Sequence, residues 1–221
     1  MNLLALDTST ESCSAAITIN GVLYQQQQMT QRGHSTLILG MLDALFKQAN
    51  ASIEAIDALA FGRGPGSFTG VRIGVGVAQG IAFARELPVI PVSTLAAVAQ
   101  AAYEQTQQQN IAVAMDARMD EIYAASFQVK QGYVELLGSE QVCAAEMFVP
   151  ADSSTWLGAG NGWQVYGETL KHNFANHLLA SKTDIYPDAA MILKLAEPLY
   201  QQGKVVSADK ALPVYLRNDV A

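Results

Sequence analysis

The sequence predicts an α/β fold in which one unit is used twice, the second time in reduced form. Two observations carry this. An apolar strand that ends in aspartate and leads into a β-hairpin opens the chain (2–28), and the same pattern returns from residue 111; such self-similarity marks a repeated unit. Between the two, strand and helix patterns follow the order β-β-β-α-β-α-β-α, which calls for helices laid on a mixed sheet. The polar run 105–109 separates the copies. The expected domains are therefore 1–105 and 106–221, with the C-terminal segment packing back on the first.

Residues 2–6 form an apolar strand that ends in Asp7-Thr8-Ser9-Thr10. A second strand over 14–19 runs into Asn20-Gly21, a pair that reaches positive φ readily and so closes two-residue hairpins, and 22–28 returns as the third. Gly33-His34-Ser35-Thr36 leads into a helix over 34–49. Its apolar residues Leu37, Ile38, Met41, Leu42, Leu45 and Phe46 recur at helical spacing and make a wide stripe. A core explains such a stripe; its width and its methionine also suit a helix–helix interface. Ser52 caps a short turn, and 58–61 is the fourth strand.

The stretch GRGPGSFTGVRIGVGVAQGIAFA, from Gly62 to Ala84, is a glycine-rich turn followed by a helix over 69–84. Gly62, Gly64 and Gly66 stand at every second position, which is neither the phosphate-cradling nor the dinucleotide-binding spacing. Ser67 lacks the flanking glycines of a nucleophile elbow. A glycine turn that opens a helix can present N–H groups to an anion and serves equally as a plain strand-to-helix turn. Inside the helix, Gly70, Gly74, Gly76 and Gly80 each cost roughly 1 kcal/mol against alanine, a penalty that close backbone contact can offset. Gly70, Gly74 and Ala78 stand four apart and form one smooth ridge. That ridge packs on the protein's own sheet or on another helix. A strand over 89–92 and a helix over 94–105 complete the first copy.

In the second copy, 111–115 repeats the opening strand and ends in Asp116. A hairpin of 121–129 and 133–139 turns about Lys130-Gln131-Gly132, and a strand from Trp156 enters the glycine turn at 158–162. A helix over 187–202 follows despite Pro198, and 212–217 is apolar with a basic end. Asp7 and Asp116 end equivalent strands. With Gly64 and Gly66 they are the candidate cofactor contacts. Asp7 also fits a second role, as a carboxylate that accepts the N–H groups of the next turn.

Composition narrows the function. A net charge of −7 argues against holding nucleic acid on the protein's own surface. Two cysteines far apart in sequence suit a reduced, cytoplasmic protein. Residues 1–6 lack a basic flank, and no apolar run reaches membrane-spanning length, so neither a signal peptide nor a membrane span is expected.

The opening LALDTST, the run GRGPGSFTGVRIG, the segment DARMDEIY from Asp116 and the terminal PVYLR to Arg217 together give a resemblance. A strand ending in aspartate before a hairpin is how the sugar kinase, Hsp70 and actin superfamily begins, and the four segments resemble the TsaB (YeaZ) family. The resemblance implies an actin-like duplicated fold with a degenerate second half. It implies a non-catalytic partner of TsaD in forming N6-threonylcarbamoyladenosine at position 37 of tRNAs that read A-starting codons. It further implies a homodimer, a TsaE-type ATPase in the complex, tRNA contact only through that complex, and no cofactor, metal or catalytic residue of the chain's own. Helices 34–49 and 69–84 would form the partner surface, with Leu37, Ile38, Met41, Leu42, Leu45, Gly70, Gly74 and Ala78 on it.

Two enzymatic readings compete with this. A metallopeptidase needs ligands on one face, such as histidines at i and i+4. The chain has only His34, His172 and His177, and the last two point roughly 140° apart on a helix. TsaD-like relatives carry a His-x-x-x-His pair where this chain reads Ser93-Thr94-Leu95-Ala96-Ala97-Val98. An ATP-dependent enzyme needs carboxylates for a metal and a cation for the γ-phosphate. Asp7 and Asp116, with Arg63, Arg72 or Arg118, are the candidates. Nucleotide-using relatives commonly place a glycine after the first aspartate, however, where Thr8 stands here. Asp116-Ala117-Arg118 reads either as an ion pair or as a contact with a partner.

Overall fold

The computed structural model describes residues 1–217. The chain forms two compact units, one of Met1–Ala97 with Pro187–Val214, the other of Val98–Tyr186 with Tyr215, Leu216 and Arg217.

The first unit contains β1 (Leu3–Asp7), β2 (Ser12–Ile19), β3 (Val22–Met29), α1 (His34–Gln48), β4 (Ala58–Gly62), α2 (Phe68–Arg85) and β5 (Val89–Val92). Its strands lie in the order β3-β2-β1-β4-β5. The opening hairpin is antiparallel, and β1, β4 and β5 run parallel. α3 (Thr94–Thr106) begins in this unit and ends in the other.

The second unit contains β6 (Asn110–Arg118), β7 (Glu121–Lys130), β8 (Tyr133–Ala144), β9 (Trp156–Ala159), α4 (Gly162–Val165), α5 (Gly167–Phe174) and β10 (Leu178–Lys182). Its order, β10-β9-β6-β7-β8, is that of the first sheet with every strand advanced by five. The pairing directions also repeat, antiparallel through β6-β7-β8 and parallel through β6-β9-β10. This is the actin-like duplicated fold. The degenerate half is recognised by its helices. A three-residue turn at Ala145–Met147 stands where the first unit has the 15 residues of α1. The short α4 and α5 stand where it has the 18 residues of α2.

Both hairpins close as their sequences require. Asn20 and Gly21 have φ of 51° and 81°, and Gln131 and Gly132 have 52° and 84°, the positive pair that matches strand twist. Three details were not legible. β6 continues past Asp116 through an irregularity to Arg118, and β8 extends to Ala144. β10 was not foreseen, because LLASK is short, lies at a sheet edge and shows no alternation.

Side chains alternate across a strand, and this sorts the first unit into two layers. Leu4 and Leu6 of β1 join Leu59 and Phe61 of β4 in one core with Ile38, Met41, Leu42 and Leu45 of α1 and Val71, Val75 and Ala78 of α2. The other face receives the last helix, α6 (Ala189–Gln201), which lies against β1, β2, β4 and β5. Its residues Ala189, Ala190, Ile192, Leu193, Leu195 and Ala196 are buried. In the second unit the core gathers on Trp156, Trp163 and Phe174. The Trp163 ring fills the space that a Cβ on Gly158 would need, and its indole N–H donates to Ala112 O at 2.9 Å.

The glycine ridge of α2 belongs to this packing. A Cβ on Gly70 would overlap the Thr8 carbonyl, and one on Gly74 would stand 2.8 Å from Thr8 Oγ1. Thr8 Oγ1 itself donates to Gly70 O at 2.7 Å. Of the two surfaces the ridge could have met, it meets the protein's own sheet. Gly70, Gly74, Ala78, Ile38, Met41, Leu42 and Leu45, expected on a partner surface, here pack within the first unit. They are buried inside the first unit, and only Leu37 is half-exposed.

Candidate functional site

Asp7 ends β1 opposite Ser14 of β2 and is fully buried. Its Oδ1 accepts from Ser9 N–H at 3.0 Å and from Ser9 Oγ at 2.8 Å. This is the local turn in which aspartate satisfies the backbone two residues on, the second role its sequence context allowed. Among the described residues Oδ2 has no hydrogen-bond partner. It rests against Gly62, where an added Cβ would overlap it. Burial pushes the Asp7 carboxyl up to about 6, against the pull of the two Ser9 hydrogen bonds, and the Asp188 charge adds to the rise.

The glycine turn is closed by the same loop. Gly66 sits so near Ser9 that a Cβ would overlap the Ser9 carbonyl, and Ser67 N–H donates to Ser9 O at 2.7 Å. Gly64, with φ of 96°, lies against the Val214 carbonyl, while Val214 N–H donates to Arg63 O at 2.8 Å. Thr94 Oγ1 reaches Ser9 Oγ at 3.3 Å. Asp7, Gly64 and Gly66 are thus brought into one region and joined by Ser9, which the sequence reading did not single out. An actin-like fold implies a nucleotide and its metal at the first aspartate. These residues do not fit one: a hard cation needs open carboxylate oxygens and room for water. Here one oxygen is engaged by Ser9 and the other is enclosed by Gly62.

Asp116 lies in the second unit, in a different setting. Its N–H donates to Asn161 Oδ1 at 3.0 Å, tying β6 to the glycine turn after β9. Its carboxylate accepts from Arg118 N–H at 2.9 Å and from Tyr166 Oη at 3.4 Å, and pairs with Arg118 Nη1 at 3.2 Å. Of the two roles open to Asp116-Ala117-Arg118, the ion pair is therefore formed. The turn that follows holds Arg118, Met119 and Asp120 all at positive φ. Arg217 clamps it, donating to Ala117 O at 3.3 Å and Arg118 O at 3.4 Å and pairing with the Glu121 carboxylate.

Two of the histidines bond to backbone carbonyls. His34 Nε2 is 2.8 Å from Thr10 O, and His177 Nδ1 is 3.2 Å from Ser153 O. Among the described residues no three His, Cys, Asp or Glu side chains stand close enough together to hold a metal ion. No helix of the described residues is long and apolar enough to cross a membrane.

What the first unit presents outward is the far side of α1 and α2. On α1 this includes Leu39, 55% exposed, and Gly40. On α2 it includes Arg72 stacked 3.6 Å over the Phe68 ring, then Gly76, Gly80 and Phe83, the last 81% exposed. A Cβ on Gly40, Gly76 or Gly80 would meet nothing within 4 Å. These glycines therefore leave backbone open to approach from outside, whereas Gly70 and Gly74 are covered. Gly76 and Gly80 keep the same spacing of four, so the signal was in the sequence, and only its direction was not.

The comparisons agree with this architecture. A family model described as TsaD, tRNA N6-adenosine threonylcarbamoyltransferase, matches residues 20–221. The chain is 41% identical over 229 residues to the tRNA threonylcarbamoyladenosine biosynthesis protein TsaB of Haemophilus influenzae, covering 100% of this chain and 95% of the relative. The protein of that name in Escherichia coli is 39% identical over 225 residues, with 100% and 96% covered. Among solved structures, YeaZ from Pseudomonas aeruginosa superposes with a TM-score of 0.92 at 44% identity, over 97% of this chain and 99% of that one. The chain belongs to the TsaB (YeaZ) family.

Proposed function

We propose that the chain acts in tRNA threonylcarbamoyladenosine biosynthesis as a non-catalytic subunit that binds and activates a TsaD-type transferase. The observation that carries this is the pairing of a closed corner at Asp7 with an open, partly apolar face on α1 and α2. Full-length similarity to proteins named for this pathway supports the pathway, and the match to the transferase's own family model favours a partner of that kind. A chain built like its partner can meet it through corresponding helices, and small residues on those helices allow backbones to approach closely. Leu37, Leu39, Gly40, Gly76, Gly80 and Phe83 would line the contact. The same face would serve a homodimer when the transferase is absent. A TsaE-type ATPase would join the assembled pair, and tRNA would be held by the complex, consistent with the net charge of −7. The protein would work in the cytoplasm.

Reconstitution from purified components tests this. The modified nucleoside should form with the TsaD-type and TsaE-type proteins, the enzyme that makes the threonylcarbamoyl-adenylate and this chain together, and fail to form when this chain is omitted. The chain alone should hydrolyse neither ATP nor peptide. Modification that proceeds at full rate without the chain, or turnover by the chain alone, would sink the proposal.

A further inference from the structure

We propose that Asp7 is a proton-operated latch for α6: uncharged, it lets the helix close on the first sheet, and ionised, it loosens that contact. The argument begins with register. Asp7 of β1 stands opposite Ser14 of β2. Ser14 Oγ accepts from Ala189 N–H at 3.0 Å, and Ser12 Oγ donates to Pro187 O at 3.3 Å. These two bonds bracket Asp188 and fix the start of α6 beside the end of β1. Asp188 caps the helix by accepting from Ala190 N–H at 2.8 Å. Ile192, one turn further, reaches within 3.5 Å of the point where a Cβ on Gly62 would sit, the same point that Asp7 Oδ2 faces.

Two carboxyl groups, one from the sheet and one from the helix, therefore share one corner, Asp7 fully buried and Asp188 half-buried. Asp188 is served by its helix and Asp7 Oδ1 by Ser9, but Asp7 Oδ2 has no donor. An ionised oxygen in that position is costly, and a proton removes the charge. The groups that face Asp7 are Ser9 from the loop after β1, Gly62 of β4, and Asp188 and Ile192 of α6, while Cys13 of β2, in the core on the other face of the sheet, feels its charge. Of these, Asp188 and Cys13 titrate. Burial raises the Asp188 carboxyl as well, and burial followed by the Asp7 charge pushes the Cys13 thiol up to about 11, so it stays neutral. Neither supplies a positive charge that would favour ionised Asp7.

The sign follows from linkage. Asp7 is raised in the folded chain from 3.8 to about 6, so folding favours its protonated form. The stabilisation is complete below about 3.8 and is lost as the pH rises through about 6. A shift of that size corresponds to roughly a hundredfold in the ratio of folded to unfolded protein. The experiment is denaturant unfolding of the full chain between pH 4 and 8, for wild type and Asp7→Asn, which keeps the shape and removes the charge. Asp7→Asn should gain about a hundredfold in that ratio relative to wild type between pH 4 and pH 7.5. A difference between the two proteins that is the same at both pH values overturns the latch. Hydrogen exchange at pH 7.5 supplies the location: amides of α6 should be less protected in wild type than in Asp7→Asn, while those of α1 match. Equal protection of α6, or a change spread over the whole unit, overturns it too. Should Asp7→Asn fail to fold, carbon-13 titration of the wild-type Asp7 carboxyl decides, with a midpoint near 6 expected and one near 4 fatal to the proposal.

Discussion

Asp7 and Asp116 occupy the same position in two sheets of identical strand order, yet their surroundings differ in kind. Asp7 is sealed by three separate segments, the Ser9 loop, Gly62 and the start of α6, and one of its oxygens is unpaired. Asp116 sits on a turn, paired with Arg118 and tied to Asn161 and Tyr166. What separates them is the next two residues. Thr8-Ser9 folds inward, with Thr8 bonded to α2 and Ser9 to Asp7. Ala117-Arg118 turns outward into left-handed backbone that Arg217 holds. The same contrast runs through the helices. The first unit has long α1 and α2 with one covered and one open side, and the second has a three-residue turn and two short helices in their place. The duplicated fold thus gives one half long helices with a covered and an open side and leaves the other half a compact β-rich body.

The contrast between the covered and open sides of α2 is broken most directly at Gly70. Gly70→Val places a side chain into the Thr8 carbonyl, and overpacking against backbone of this kind costs about 3 kcal/mol. Unfolding by urea should show the loss, and an unchanged midpoint would mean that the ridge is not in contact. Leu45→Ala on α1 empties a fully buried position and should cost about 2 to 5 kcal/mol. If these inward residues were the partner surface, such variants would lose the partner while keeping their stability, the reverse of what is expected.

Gln100 offers a similar test in the second unit. Its Oε1 accepts from Val134 N–H at 3.0 Å, and its Nε2 donates to Gly132 O and to Glu104 Oε1, both at 2.9 Å. Gln100→Leu strands these groups and should cost about 1 to 3 kcal/mol, read by calorimetry. Arg217→Ala should cost about 1 kcal/mol or less, because the pair with Glu121 is partly exposed. It should nonetheless speed hydrogen exchange in the turn at 118–121 and leave the first unit unchanged. Gly76→Ala is the smallest in stability and the sharpest for function. The helix should gain up to about 1 kcal/mol, while binding to the TsaD-type subunit, followed by calorimetric titration, weakens because the open backbone is now covered. Binding that matches wild type would move the partner surface elsewhere.

The sequence by itself determined what depends on neighbours along the chain. Asn20-Gly21 closes a hairpin because both residues tolerate positive φ, and at Gln131-Gly132 the glycine supplies that tolerance. The apolar strands ending in Asp7 and Asp116 announced the repeat, and helical spacing marked α1, α2 and α6. Tertiary structure decided what depends on segments far apart. Gly70 with Gly74, and Gly76 with Gly80, carry the same spacing, and only the position of β1 makes one pair inward and the other outward. The short edge strand β10 exists because β9 offers it a ladder, not because LLASK demands it. Asp7 reads in sequence either as a cofactor contact or as a carboxylate that accepts the N–H groups of the next turn. Ser9, Gly62 and Asp188, from three parts of the chain, converge on it and remove the open coordination that a metal requires, because close packing leaves no volume for both.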